Sequence, residues 1–352
     1  MSAPIRVGLV VVVAVTATAC AGPPPVPAPS LVAAPSASAT MTPIPSSSPA
    51  GLSLTPEPAF VPLGIAFWDV AHGIAVGTPA GDSGQGPGIV ALTADGGRTW
   101  VGGPVVATPL IAVSTAAERD AWAIGSCVAP SAQGACPTNL LHTADRGTTW
   151  ASHGVAPRAV SFADAEHGWA AISDALGGGP LESPRLVATV DGGSTWRPIA
   201  QACVAWDDVA AVRFVDPAHG WVVCSGEGTG TMGPSATYET SDAGGTWTLR
   251  SELLLAGPHV VIGRPPGGPV DGAFFLRGGH GWVWQGRSGT ESTVDGGATW
   301  KHAPPGRPEE VFVHSMWFVD GDHGFALVFS DGATRLWTTD DGGVTWAEVH
   351  RW

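Results

Sequence analysis

The chain has 352 residues, enough for two ordinary domains or one closed all-β unit, and its 16 Lys and Arg against 30 Asp and Glu give a formal charge of -14. Lysine occurs once, at Lys301, so a basic phosphate-binding surface is excluded and no nucleic-acid partner is expected. The 49 Gly, 16 Trp and few charged residues describe a chain of many tight turns and apolar strand faces.

At the amino terminus Arg6 precedes an apolar run over residues 7–17, too short to span a bilayer permanently, and then Ala17-Thr18-Ala19-Cys20. Small residues before a cysteine resemble a bacterial lipoprotein lipobox, although Ala17 stands where that motif usually carries Leu, Ile or Val. Residues 1–19 therefore read as a signal peptide and Cys20 as a lipidated residue holding the protein on the extracytoplasmic side of the cell membrane, where two acyl chains suffice for stable anchoring. Ala17-Thr18-Ala19 also reads as an ordinary cleavage site, which leaves secretion as the alternative. Residues 20–58 are rich in Pro, Ala and Ser with no periodic apolar face, as expected of a disordered tether. Extended at roughly 3.1 Å per residue, such a tether reaches on the order of 100 Å.

Setting Cys20 aside, Cys127, Cys136, Cys203 and Cys224 form an even set in an exported chain, and the expected bridges are 127 with 136 and 203 with 224. None of the four has C-x-x-C or Cys/His ligand spacing, so neither a metal nor another cofactor is expected.

Residues 59–352 contain a repeat, T-x-D-x-G-x-T-W, six times. Its conserved-looking pairs are Asp95 and Trp100, Asp145 and Trp150, Asp191 and Trp196, Asp242 and Trp247, Asp295 and Trp300, and Asp341 and Trp346. The tryptophans recur every 46–53 residues, the length of a four-stranded blade with its loops. Each box reads as a hairpin: the Asp accepts turn N–H groups, the Gly supplies positive φ, and the Thr and Trp open the next strand. A second element, F-x-D-x-x-H-G with an aromatic or apolar residue after it, begins at Phe67, Phe162, Phe214 and Phe318. It is degraded at Phe275, where Arg277 takes the Asp place, and in the second unit, where Trp122 is what survives. Its histidines are expected to bond within their own turns. The order within a unit is inner strand, D-x-x-H-G turn, second strand, variable loop, third strand, box, outer strand. Six such units make an all-β, six-bladed β-propeller of four-stranded antiparallel blades, closed without borrowing a strand from the amino terminus.

The box resembles the Asp-box (BNR) repeat of the sialidase superfamily, and with F-x-D-x-x-H-G it is most similar to propellers of the photosystem II assembly-factor type and their bacterial relatives. The resemblance spans residues 59–352 and implies the fold rather than an activity. Sialidases would imply a Tyr nucleophile, three Arg and an R-I-P motif. Here the one tyrosine, Tyr238, lies in a strand running toward a box, and Arg264-Pro265-Pro266 is no substitute for that motif.

Ligands are expected on the face opposite the boxes, formed by loops between second and third strands and between blades. That upper face carries Trp206, Asp207 and Asp208 before the fourth inner strand, Glu182 and Glu227 in loops, and Glu309 and Glu310 before the sixth inner strand. The insertion over residues 251–272 adds His259, Arg264 and Asp271. The expectation is a non-catalytic, tethered propeller that binds an envelope protein or glycan, with an assembly or scaffold role. The alternative is a glycoside hydrolase using two upper-face carboxylates.

Overall fold

The computed structural model describes residues 56–82, 86–126, 138–172, 185–204, 208–226, 233–253, 261–263, 265–266, 270–285, 289–303 and 311–352. The chain divides into Met1–Leu52 and Ser53–Trp352, and every described residue belongs to the second unit. Cys20, Cys127 and Cys136 lie outside the described residues.

Each of six sheets is built from one continuous stretch of chain with its strands in sequence order. In blade 1 these are Phe60–Phe67, Gly73–Pro79, Gly88–Thr93 and Val101–Val106. The inner strands of blades 2 to 6 are Leu110–Ala116, Pro157–Phe162, Asp208–Phe214, Gly272–Phe275 and Phe312–Phe318. Each inner strand packs against the inner strands of its two neighbours, the first against the sixth included, so the blades form a closed ring. Burial falls outward along a blade. The second strand Gly73–Pro79 is buried almost throughout, because neighbouring blades cover both of its faces, whereas the outer strand Ala347–Arg351 is exposed or half-buried.

Blade 4 departs from the four-strand expectation. Part of the insertion over residues 251–272 adds a fifth, two-residue strand, Val261–Ile262, which pairs with the outer strand Thr248–Leu253. Residues 251–253 themselves complete that outer strand, so the insertion begins later than the sequence suggests. An exposed outer edge can accept one more strand without disturbing the ring.

Stacked aromatics join the blades. The Phe ending one inner strand lies flat on the aromatic ring that opens the second strand of the preceding blade: Trp122 on Phe162, Trp169 on Phe214 and Trp282 on Phe318, with centroids 3.7, 3.7 and 3.6 Å apart. Trp221 and Phe275 are parallel at 4.8 Å. The ring closes by the same device, with Phe67 of blade 1 on Phe325 of blade 6 at 3.5 Å and 3°. In five blades the Phe also meets the edge of its own box Trp, as Phe67 meets Trp100 at 6.3 Å. The junction of blades 1 and 2 lacks a stack, since Ile74 and Ala116 hold the two positions; Trp68 Nε1 donates to Asp120 O there at 3.0 Å, and Thr115 Oγ1 to Phe67 O at 2.9 Å.

The glycine of H-G has a packing role that the sequence pattern does not reveal. It is the first residue of the second strand rather than part of the turn, and the Phe ring of its own blade covers its Cα. A Cβ on Gly73, Gly220 or Gly324 would lie 2.5 Å from that ring, inside contact distance.

Both repeated turns lie on one face of the ring, and backbone hydrogen bonds tie them together. The residue after each box Asp donates to the D-x-x-H-G turn of the same blade, as in Gly96 N to Ala71 O at 2.9 Å and Gly342 N to Asp322 O at 2.8 Å. That residue has positive φ in every box, including Arg146 and Ala243 where it is not glycine. Within the first box, Asp95 Oδ1 accepts from Thr99 N and Thr93 Oγ1, both at 2.9 Å, and Asp95 Oδ2 accepts from Thr99 Oγ1 at 2.6 Å. Gly97 N donates to Thr93 Oγ1 and Trp100 Nε1 to Gly97 O. The other boxes repeat this network, except that Trp247 Nε1 turns to Ala200 O of blade 3 at 2.9 Å. In four D-x-x-H-G turns the histidine Nδ1 faces the turn Asp, as His72 faces Asp69 at 2.9 Å. Where Arg277 replaces that Asp, its guanidinium instead reaches Asp216 of blade 4 at 2.9 Å.

These turns hold their carboxylates below the usual range. The Thr195 hydroxyl, then its N–H, then the Thr189 hydroxyl bring Asp191 to about 2, and Thr345 and Thr339 do the same for Asp341. For Asp295 and Asp216 burial pulls upward, but hydrogen bonds from Thr299 and from Ala218 and His219 outweigh it and bring both to about 2. A lowered folded pKa adds stability that is full above the unfolded value near 3.8 and is lost as pH falls toward about 2. Denaturation midpoints should therefore fall steadily from pH 4 to pH 2 as these groups protonate, and Asp295→Asn should shallow that fall. A variant with the same acid slope as the parent would contradict this assignment.

Candidate functional site

Antiparallel strand order places the starts of the inner strands on the upper face, away from both repeated turns. At the upper rim Cys203, just before the inner strand of blade 4, is bridged to Cys224 near the end of the second strand, with Cα atoms 5.6 Å apart. Both cysteines are buried. Beside the bridge Asp208 opens its inner strand, where its Oδ1 takes Val209 N at 2.8 Å and Arg158 Nη1 of blade 3 at 3.3 Å. Both partners of that ion pair are nearly half exposed, so it orients the rim more than it stabilises it.

Below the rim the inner strands of all six blades enclose a cavity of about 250 Å³. Its upper part holds Asp271 and His314; desolvation inside the ring lowers the His314 pKa, and the nearby Asp271 carboxylate opposes that shift. The walls are about evenly polar and apolar, the apolar part coming from side chains such as Ile65, Val113, Val160, Val212 and Met316. Arg213, one residue before the Phe that ends the inner strand, lies toward the lower end. Its guanidinium sits 4.1 Å from the Phe274 ring and 4.9 Å from the Trp317 ring, so it reaches past blade 5 to blade 6. Its Nε donates to Phe275 O at 3.3 Å. Enclosure pushes its pKa down to about 10, which leaves it cationic at neutral pH.

Of the sequence candidates, the structure brings Asp208 to the rim and Asp271 to the cavity. Trp206, Asp207, Glu227, His259, Arg264, Glu309 and Glu310 lie outside the described residues. Arg158, Arg213 and His314 were missed by sequence reasoning. Arg213 had one available signal: the matching positions in the other blades are Ala66, Thr115, Ser161, Phe274 and Trp317, so a lone cation interrupts a position that is otherwise small or aromatic. Among the described residues, no group of three His, Cys, Asp or Glu side chains could hold a metal ion.

Comparison with known proteins places the architecture among β-propellers. The chain shares 14% identity with the α-L-arabinofuranosidase Arb93A from Fusarium graminearum, over 84% of this chain and 96% of that one, with a TM-score of 0.51. A protein of unknown function from Dyadobacter fermentans matches at 11% identity over 85% and 95% of the two chains, with a TM-score of 0.52. YCF48 bound to D1 peptide matches at 18% identity over 84% and 82%, with a TM-score of 0.49. At such identities the likeness is one of fold. No family model matches the sequence, and neither does any curated protein.

Proposed function

We propose that this chain is an Asp-box propeller, tethered to the extracytoplasmic side of the membrane through lipidated Cys20, that binds an envelope protein or glycan through its upper face without catalysing a reaction. The observation that carries this reading is the Cys203–Cys224 bridge beside the Arg158–Asp208 pair. Together they fix the two ends of the segment that carries Trp206 and Asp207, and a loop with fixed ends loses less entropy when it binds. The scaffold role follows from the long Pro/Ala/Ser segment, which lets a bound partner stay near the membrane.

The second reading, a glycoside hydrolase, is favoured by one feature: Asp208 and Asp271 belong to the same upper side of the ring. It requires two carboxyl groups about 5 to 10 Å apart, one of them protonated. Asp208 is already engaged by the Arg158 guanidinium of the neighbouring blade at 3.3 Å, which ties it to the rim.

The test is affinity capture from the native envelope, run in parallel with glycan-array binding, for the tethered protein and for a variant carrying Trp206→Ala, Asp207→Ala and Asp208→Ala. A partner or glycan held by the parent and lost from the variant is the expected result. Hydrolysis of an arabinan or xyloglucan by the parent, without stable capture, would replace this reading with the hydrolase.

A further inference from the structure

We propose that the central cavity is a binding site for a small organic monocarboxylate, with Arg213 as its counter-charge and the apolar inner-strand residues above it as the seat for the rest of the molecule. This goes beyond the upper-face reading, because it concerns the interior of the ring and needs none of the rim residues.

Charge is the first reason. Arg213 is enclosed by inner strands, yet among the described residues no carboxylate forms an ion pair with it. One backbone carbonyl and two aromatic faces are its neighbours. Cation–π contacts attract the guanidinium as a whole but leave its in-plane N–H donors unsatisfied, and Nε accounts for one of five. Among the described residues the Nη donors have no hydrogen-bond partner, and Arg213 lines the cavity. Planar, paired donors of this kind match a carboxylate.

Shape and polarity narrow the ligand. A volume of about 250 Å³ is below the range that holds drug-sized molecules, so an oligosaccharide or folded segment does not fit inside. Val113, Val160, Val212 and Met316 would cover a short aliphatic or single-ring body. Arg158 and His314 line the upper part with Asp271, but Arg158 is already paired with Asp208, so Asp271 opposes a second negative charge there and monocarboxylates are favoured over dicarboxylates. The Phe274 and Trp317 rings hold the guanidinium in place before any ligand arrives, so little ordering is left for binding to do.

Calorimetric titration of the full chain with hexanoate and benzoate, against their neutral amides hexanamide and benzamide, tests this directly. At least one acid should bind with one-to-one stoichiometry and at least tenfold more tightly than its amide. Arg213→Met, which keeps a flexible apolar stem between the two rings, should abolish that preference. Equal binding of acid and amide, no binding of either acid up to about 10 mM, or an acid preference that survives in Arg213→Met would each overturn the proposal. Should Arg213→Met fail to fold, the acid-against-amide comparison on the parent still decides. None of these measurements depends on the rim, so they can fail while upper-face capture succeeds, or the reverse.

Discussion

Replacing Phe67 with alanine should lower the unfolding free energy by about 3–5 kcal/mol, the usual cost of emptying a large buried aromatic site. The ring is almost fully buried, lies flat on Phe325 at 3.5 Å and meets the edge of Trp100 at 6.3 Å. This stack joins the first blade to the last, and among the described residues no strand crosses that seam. Beside the stack, Phe60 meets Trp352 edge-on at 6.1 Å, Trp100 meets Trp352 at 5.5 Å, and His350 bonds Glu57 Oε1 at 2.7 Å and lies 3.3 Å from Arg98 O, in more peripheral settings. The loss should therefore exceed that of an equally buried residue within one blade, and amide exchange along Phe60–Phe67 should quicken. Urea denaturation followed by tryptophan fluorescence, with hydrogen exchange as the local readout, measures both. A loss under about 1 kcal/mol would mean that the blades hold the ring closed without the seam.

Why the architecture could be read in advance is clear from the seam itself. Phe67 and Trp100 belong to two motifs repeated at blade length, and each motif carries the residue types its geometry requires. The turn chemistry is local: Thr93, Asp95, Gly97 and Thr99 complete their network within a few residues, so the sequence nearly determines it. The contact between Gly73 and the Phe67 ring is also local in sequence, yet the pattern alone suggested a turn glycine, because packing and positive φ leave the same letter. The fifth strand of blade 4 was illegible for a different reason. Val261–Ile262 is two residues long, too short for any alternation to show, and an outer edge accepts it whatever its sequence.

The site was less legible than the scaffold. Arg213, Phe274 and Trp317 lie 61 and 43 residues apart in succession and meet only because three blades converge on one axis. No motif marks them, since each is merely the residue before a Phe or its counterpart. Arg158 and Asp208 likewise come from successive blades. Loop residues could be assigned to a face by counting strands, which placed Asp208 and Asp271, but strand counting carries no information on what a side chain will touch.

The bridge between Cys203 and Cys224 carries the second large effect. It closes 21 residues of chain, for which the loop-entropy relation gives about 3 kcal/mol. Alanine is the appropriate replacement at both positions, because the sulfurs are buried and serine hydroxyls there would need hydrogen-bond partners. The double variant Cys203→Ala, Cys224→Ala should lose that amount in urea titrations while keeping the parent's strand content by circular dichroism, since the second strand Gly220–Ser225 remains held by its neighbours. Reductant should destabilise the parent in the same direction, and should affect the double variant only by what the expected Cys127–Cys136 bridge contributes. The upper-face reading requires a further consequence: freeing the start of the segment before Asp208 should weaken capture of the partner more than the stability loss alone accounts for, with faster dissociation as its signature. If the double variant is destabilised but releases its partner no faster than the parent, the bridge serves the blade and the binding surface lies elsewhere on the ring.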